Sequence, residues 1–311
     1  MKTMENPHVL SVKNLKISYG NKKIIENLSF DLAEGELICL CGPNGSGKSS
    51  LLSVLAGINF GDIKFSKNSV FYSQCRQEIS DPRAENEQRA TSLESLNRNE
   101  LSRQVSFMVQ NENCTWNFPV EEFIMMGRYV YGDEKSEHAR SLVKKYMNEL
   151  EISHLAEREI TTFSGGEMQK ARIARSLVQE TPILLLDEPC SNLDFDAQFT
   201  LMKKIRSLCH SESLKPAENS KNTEPFSVIV SIHDLNLASI FADKILLLNT
   251  NENANEKSAN ESKTSTNENK APFFFGTVGE IFRSEILSAA FNTNFGIFTH
   301  PEYKVPQVYV K

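Results

Sequence analysis

Leu37-Ile38-Cys39-Leu40-Cys41-Gly42-Pro43-Asn44-Gly45-Ser46-Gly47-Lys48-Ser49 is a continuous apolar run that breaks into a glycine-rich loop and ends on Lys-Ser. Five consecutive apolar residues bounded by turn residues read as a strand buried on both faces. Gly42 to Ser49 fits G-x-x-x-x-G-K-[ST], and Ser50 to Ala56, closed by Gly57, is a helical run. Strand, loop and helix in that order are the context the pattern requires. Glycines let the backbone curl so that its N–H groups face inward, beside a helix N-terminus that favours anions. Such a loop cradles phosphate: Lys48 is placed to reach the β- and γ-phosphates of a nucleotide and the Ser49 hydroxyl to ligate Mg²⁺. The loop marks nucleotide binding without identifying the machine.

Outward from the loop, Ile183 to Leu186, Val228 to Val230 and Ile245 to Leu248 are further short apolar runs with helical patterns between them, so a mostly parallel α/β sheet follows. Val9 to Phe30 alternates apolar and polar residues around Tyr19-Gly20-Asn21 and reads as an antiparallel hairpin. Ala139, Leu142, Val143, Tyr146, Met147 and Leu150 make one face of an amphipathic helix, placed in a helical subdomain of about residues 117–162 inserted into the sheet domain. Residues 66–99, 211–225 and 249–270 are polar and charged, and are expected to be mobile surface insertions within one domain spanning 1–311.

Ile183-Leu184-Leu185-Leu186-Asp187-Glu188 is a buried strand ending in two carboxylates. Beside a phosphate loop, Asp187 is expected to hold Mg²⁺ through water, and Glu188 to polarise the attacking water as general base. His233 follows Ser227 to Ile232, a strand expected beside the first. That places it at a carboxyl end, where open α/β sheets put ligands, so a contact to the γ-phosphate is expected. Ser164-Gly165-Gly166-Glu167 opens a further helix, with Ser164 as N-cap and Glu167 completing a capping box. Two glycines just inside a helix cost about 1 kcal/mol each relative to Ala, and close backbone approach to a phosphate would explain them.

Taken together these residues resemble the ABC ATPase family, with motifs in family order over roughly residues 8–300 apart from the three insertions. Residues 42–49 look like Walker A, Ser164 to Glu167 like the signature, and Leu184 to Glu188 like Walker B with its catalytic Glu. Ser191-Asn192-Leu193-Asp194 matches the D-loop, Gln110 the Q-loop, His233 the switch histidine and Tyr19 the aromatic that stacks on adenine. Phe163 stands for the commoner Leu, Ser50 for Thr and Cys190 for a small residue, none of which removes a role. The resemblance implies a P-loop NTPase fold of ABC type, with an antiparallel N-terminal β subdomain and an inserted helical subdomain. It implies a homodimer in which Walker A of one chain and Ser164/Gly166 of the other sandwich ATP. Glu188, His233 and Gln110 are then the catalytic candidates. The nucleotide candidates are Tyr19, Gly42, Pro43, Asn44, Gly45, Ser46, Gly47, Lys48, Ser49, Ser50, Ser164, Gly165, Gly166, Glu167 and Asp194. Mg²⁺ falls to Ser49, Gln110 and Asp187.

A single set of motifs, and no apolar run near the roughly 20 residues of a membrane span, fits a separate subunit at the cytoplasmic face of the membrane, driving a transmembrane permease. An extracytoplasmic binding protein would be an indirect partner. The polar stretch from Met1 to Asn6 lacks the apolar core of a secretory signal. A net charge of −6 argues against general nucleic-acid binding. Six cysteines lack metal-ligand spacing and fit a reducing compartment.

Asn117-Phe118-Pro119-Val120-Glu121-Glu122-Phe123-Ile124-Met125-Met126-Gly127-Arg128-Tyr129 resembles the segment after the Q-loop in iron-siderophore, haem and cobalamin import ATPases, with Val130 where that group has Pro. Gly276 to Phe291 resembles its C-terminal ending. In that group the permease docks between the helical subdomain and the sheet domain, where Trp116, Phe118, Phe123 and Met126 are the candidate lining. Packing inside the subdomain accounts for at least half of these side chains. A soluble ABC ATPase of iron–sulfur assembly type and an export or drug-resistance ATPase stay open as alternatives.

Overall fold

The computed structural model describes residues 7–58, 61–73, 90–110, 112, 117–191, 193–210, 226–249 and 272–311. Its framework is a six-stranded sheet in the order β11-β10-β3-β9-β8-β7. These strands are Phe273–Thr277 (β11), Lys244–Leu248 (β10), Leu37–Cys41 (β3), Ser227–Ser231 (β9), Ile183–Leu186 (β8) and Val105–Met108 (β7). All neighbouring pairs are parallel except β10 with β11. The sequence runs read as doubly buried strands are β3, β8, β9 and β10.

Strands β3 and β8 are apolar throughout, and β9 and β10 are apolar apart from Ser227, Ser231 and Lys244 at their ends, because both faces are covered. In β3, Leu37, Cys39 and Cys41 face one core while Ile38 and Leu40 face the other. The same alternation splits Leu184 and Leu186 from Ile183 and Leu185 in β8. A period of two sends successive side chains to opposite faces, so neither core tolerates a polar residue in these strands without a partner. Cys39 and Cys41 are fully buried free thiols whose pKa values are pushed up chiefly by desolvation, as packed strand residues should be.

The second sheet is antiparallel. His8–Tyr19 (β1) pairs with Lys22–Ala33 (β2) through a two-residue turn at Gly20 and Asn21, Tyr19 lying opposite Lys22. Ile63–Phe65 (β4) and Val70–Ser73 (β5) also pair with β1, and Ala90–Ser92 (β6) extends the sheet from β5. These last strands correct the expectation that 66–99 is one surface insertion. Val70 and Tyr72 are buried against β1, and Asn97 caps a helix at Arg98–Gln104 (α2) with a complete capping box. Residues 74–89, 211–225 and 250–271, which hold the rest of the expected insertions, lie outside the described residues.

The loop after β3 leads into Lys48–Leu55 (α1), packed between the two sheets. Residues 117–162 carry Val120–Met125 (α3), a 3₁₀ turn at Met126–Arg128 and Glu137–Glu149 (α4). The inward face of α4 is Ala139, Leu142, Val143, Tyr146 and Met147. Helices α3 and α4 pack on Gly165–Leu177 (α5), which returns the chain to the main sheet. Phe195–Cys209 (α6) and Leu235–Phe241 (α7) follow β8 and β9. The C-terminal end holds Val278–Ile281 (α8), Ser284–Phe291 (α9) and the hairpin of Phe295–Thr299 (β12) with Pro306–Val310 (β13).

This topology assembles the site. Because β3, β9, β8 and β7 are parallel neighbours, their carboxyl ends lie along one edge. The glycine loop, His233, the Asp187–Glu188 pair and Gln110 leave the sheet there, as ligand sites in open α/β sheets do.

Candidate active site

The loop from Gly42 to Gly47 takes its shape from backbone that only glycine adopts freely. Gly42 has φ +148° and Gly47 φ +98°. A Cβ on Gly42 would lie 2.6 Å from the Leu248 carbonyl oxygen, and one on Gly47 2.5 Å from Ile24 Cγ2. The loop is therefore pressed against β10 on one side and β2 on the other, with its remaining face open at Asn44 and Gly45.

Lys48 is 6% exposed and its ammonium donates to the Gly42 carbonyl at 2.9 Å and the Pro43 carbonyl at 3.0 Å. Burial holds its pKa below the usual lysine range, an effect opposed by the nearby Glu188 and Asp187 carboxylates. A buried cation held by neutral carbonyls has room for an anion to improve its pairing. The Ser46 hydroxyl is also buried and has no hydrogen-bond partner among the described residues. Ser49 is exposed in the first turn of α1, and Ser50 is half-buried.

Three of the sequence candidates meet at Glu188. Gln110 Nε2 donates to its Oε2 at 2.5 Å, and His233 Nε2 lies 2.5 Å from its Oε1. A carboxylate oxygen only accepts, so that contact fixes the proton on Nε2 of the ring. Glu188 itself has φ +50°, a left-handed conformation that is uncommon for any residue but glycine and is held here by its surroundings. Its N–H donates to Ser231 Oγ at 2.8 Å, and its carbonyl accepts from Gln169 Nε2 at 3.2 Å and Ser191 N–H at 3.1 Å.

Asp187 is 2% exposed, and Ser231 Oγ donates to its Oδ1 at 2.7 Å. One fully buried hydroxyl therefore ties both carboxylate residues to the end of β9. Sequence reasoning missed Ser231 and Gln169. The signal was present, since both are polar residues at positions where the apolar pattern of a strand or helix faces the core.

The remaining candidates lie apart from this cluster. Ser164 caps α5, accepting from the Glu167 N–H at 3.3 Å while the Glu167 carboxylate accepts from the Ser164 N–H at 2.8 Å. That backbone bond, with the Ser164 hydroxyl and Arg158, lowers the pKa of Glu167. Ser164 and Gly165 are exposed and Gly166 half-buried. Among the described residues no hydrogen bond joins Ser164 to Glu167 with the glycine loop. Asp194 caps α6 by accepting from the Ala197 N–H at 2.8 Å, which engages one of its oxygens structurally. Tyr19 is 54% exposed at the hairpin tip. Asn192 and Trp116 lie outside the described residues. Phe123 is 2% exposed and packs inside the helical region, so it does not line an open groove, whereas Phe118 and Met126 are half-buried.

A family model described as "ABC transporter" matches residues 25–191, more than half of the chain. The chain belongs to the ABC transporter ATP-binding family. It is 32% identical over 250 residues to the hemin import ATP-binding protein HmuV of Shewanella denitrificans, covering 78% of this chain and 85% of the relative. The HmuV of Pseudomonas aeruginosa is 29% identical over 305 residues, 96% of this chain and 99% of its own length. Among solved structures, a metal-chelate type ABC transporter in an inward-facing conformation superposes with a TM-score of 0.68 at 24% identity, covering 98% of each chain. A dimeric ATP-binding cassette in a post-hydrolysis state with ADP and Pi gives 0.59 at 23% identity, covering 77% of this chain and 94% of the other. The two structures bear on the fold.

This ABC ATPase thus has the sheet and helical layout of its family and binds and hydrolyses ATP. Family membership carries the expectation of a membrane permease partner and of dimerisation. Among the described residues no helix is long and apolar enough to cross a membrane.

Proposed function

We propose that this chain is the ATP-hydrolysing subunit of an importer for haem or a related metal chelate, working as a homodimer beneath a separate permease at the cytoplasmic face of the membrane. The observation behind the hydrolytic site is Glu188, held in a left-handed turn at the end of β8 between Gln110 and His233. The reading as an importer rests on the HmuV relatives, which the chain matches along most or nearly all of their length.

In the proposed site the backbone N–H groups of residues 44–48 and the Lys48 ammonium hold the phosphates, and the orphan Ser46 hydroxyl gains an acceptor. Tyr19 lies beneath the adenine. Glu188 takes the proton of the attacking water, and His233 and Gln110 hold the carboxylate in place until substrate arrives. The donors assigned to Mg²⁺ are the Ser49 hydroxyl, the Gln110 amide oxygen and the Asp187 carboxylate, all hard oxygens as that ion requires. When bound, Mg²⁺ would neutralise charge on the β- and γ-phosphates. Ser164 and Gly165 of a second copy, exposed at the start of α5, and the half-buried Gly166 after them complete the phosphate site from across the dimer, with Asp194 beside them.

Purification of the tagged chain from detergent-solubilised native membranes tests the partner. Recovery of a polytopic permease together with a chelate-binding protein is expected. Recovery of soluble partners alone, as an iron–sulfur assembly ATPase would give, contradicts the importer.

A further inference from the structure

Two residues beyond Gln110, Glu112 is bound to α5 twice. Arg175 grips its carboxylate in a two-point pair, Nη1 to Oε1 at 2.8 Å and Nη2 to Oε2 at 2.5 Å. One helical turn earlier, Arg172 Nη2 donates to the Glu112 carbonyl. A planar guanidinium matched to a carboxylate fixes orientation as well as distance, which a lysine could not do. Burial alone would raise the Glu112 pKa, but the Arg175 hydrogen bond and the charges of Arg175 and Arg172 bring it below the usual carboxylate range.

Arg175 has two more contacts. Its guanidinium lies over the Phe123 ring at 4.5 Å, joining it to α3. Its carbonyl is packed so closely against Gly127 that a Cβ there would approach to 2.2 Å. On the same helix, Gln169 holds the Glu188 carbonyl, and the helix begins at the Ser164 cap. Residues 169, 172 and 175 are spaced three apart, so one face of α5 grips both the loop that carries Glu188 and the segment that carries Gln110.

We infer that the Arg175–Glu112 pair is a positioning clamp for hydrolysis: it locks the segment behind Gln110 to the helix that begins at Ser164, so that the Gln110–Glu188 contact moves as one piece with α5 and α3. The inference rests on the reading of Glu188 as the base. Neither clamp residue touches the reacting atoms. Their effect is on how often Gln110 and Glu188 stand correctly, which belongs in turnover and not in nucleotide affinity.

The test is steady-state ATPase of the full chain with Glu112→Gln, a substitution that keeps shape and loses charge. Turnover should fall at least about tenfold with KM within about twofold, since positioning acts on the reacting step and leaves ground-state binding alone. The melting temperature should hold. The double variant Glu112→Gln/Arg175→Gln should be no slower than the slower single variant, because the two residues act as one unit. Turnover within about twofold of wild type, multiplicative losses in the double variant, or a loss that arrives with a raised KM or a lost cooperative melt would each overturn the clamp. Glu188→Gln is measured alongside. If it stays inactive while Glu112→Gln is normal, only the clamp falls; if Glu188→Gln itself turns over normally, the base assignment falls and takes the clamp's route of action with it.

Discussion

Glu188→Gln is expected to slow ATP turnover at least about 100-fold, the range lost with a general base, while ATP binding is retained. The amide is isosteric with the carboxylate. It can still receive a hydrogen bond from Gln110 or His233, and the Ser231 and Gln169 contacts are to the backbone of residue 188 and survive. The fold of the turn should therefore persist. What disappears is the ability to take a proton from water. Single-turnover hydrolysis set beside equilibrium nucleotide binding separates the two effects. Near-normal hydrolysis would remove Glu188 from the base role and leave its left-handed backbone without a functional reason.

Lys48→Ala should lower ATP affinity and turnover together, turnover by at least about 100-fold, since charge stabilisation of the transferring phosphoryl group is lost at a water-poor site. The ligand-free fold should be affected much less. Lys48 is a buried cation held by the Gly42 and Pro43 carbonyls, with its pKa lowered by desolvation, so removing it also removes a desolvation cost. The signature in a thermal melt is a nearly unchanged midpoint without nucleotide and loss of the rise that ATP brings to the wild type. An ATP-dependent rise of the wild-type size in Lys48→Ala would mean the loop is not where the phosphates sit.

Much of this site is legible in the sequence because its chemistry is carried by short, contiguous patterns. The strand-loop-helix at 37–55 and the apolar run ending in Asp187-Glu188 each contain their own context, and parallel pairing then brings their ends together. Less legible were contacts made by residues distant in sequence. Ser231 looks like the polar end of a strand; that it bridges Asp187 and Glu188 follows only from β8 and β9 being neighbours. That Arg172 and Arg175 hold Glu112 follows only from the segment after Gln110 lying against α5.

The segment 66–99 was misread for a related reason. Val70 and Tyr72 do alternate with partly covered neighbours, but the strand is only four residues long and sits beside a long charged stretch. Composition over the whole window outweighed the local period. Short strands draw their stability from their partners, here β1 and β6, and little of it from their own sequence. Capping signals fared better. The box read at Ser164 forms through bonds spanning three residues, the range over which a sequence pattern and a structure are nearly the same statement, while the box at Asn97 went unread inside the segment taken as an insertion.

The central claim is that hydrolysis at Glu188 drives import of a metal chelate, and the most direct test is uptake of labelled haem by cells lacking this chain. Uptake should be lost on removal of the gene, return with the wild-type chain and fail to return with Glu188→Gln. Uptake that persists without the chain, or that Glu188→Gln restores in full, would contradict the account.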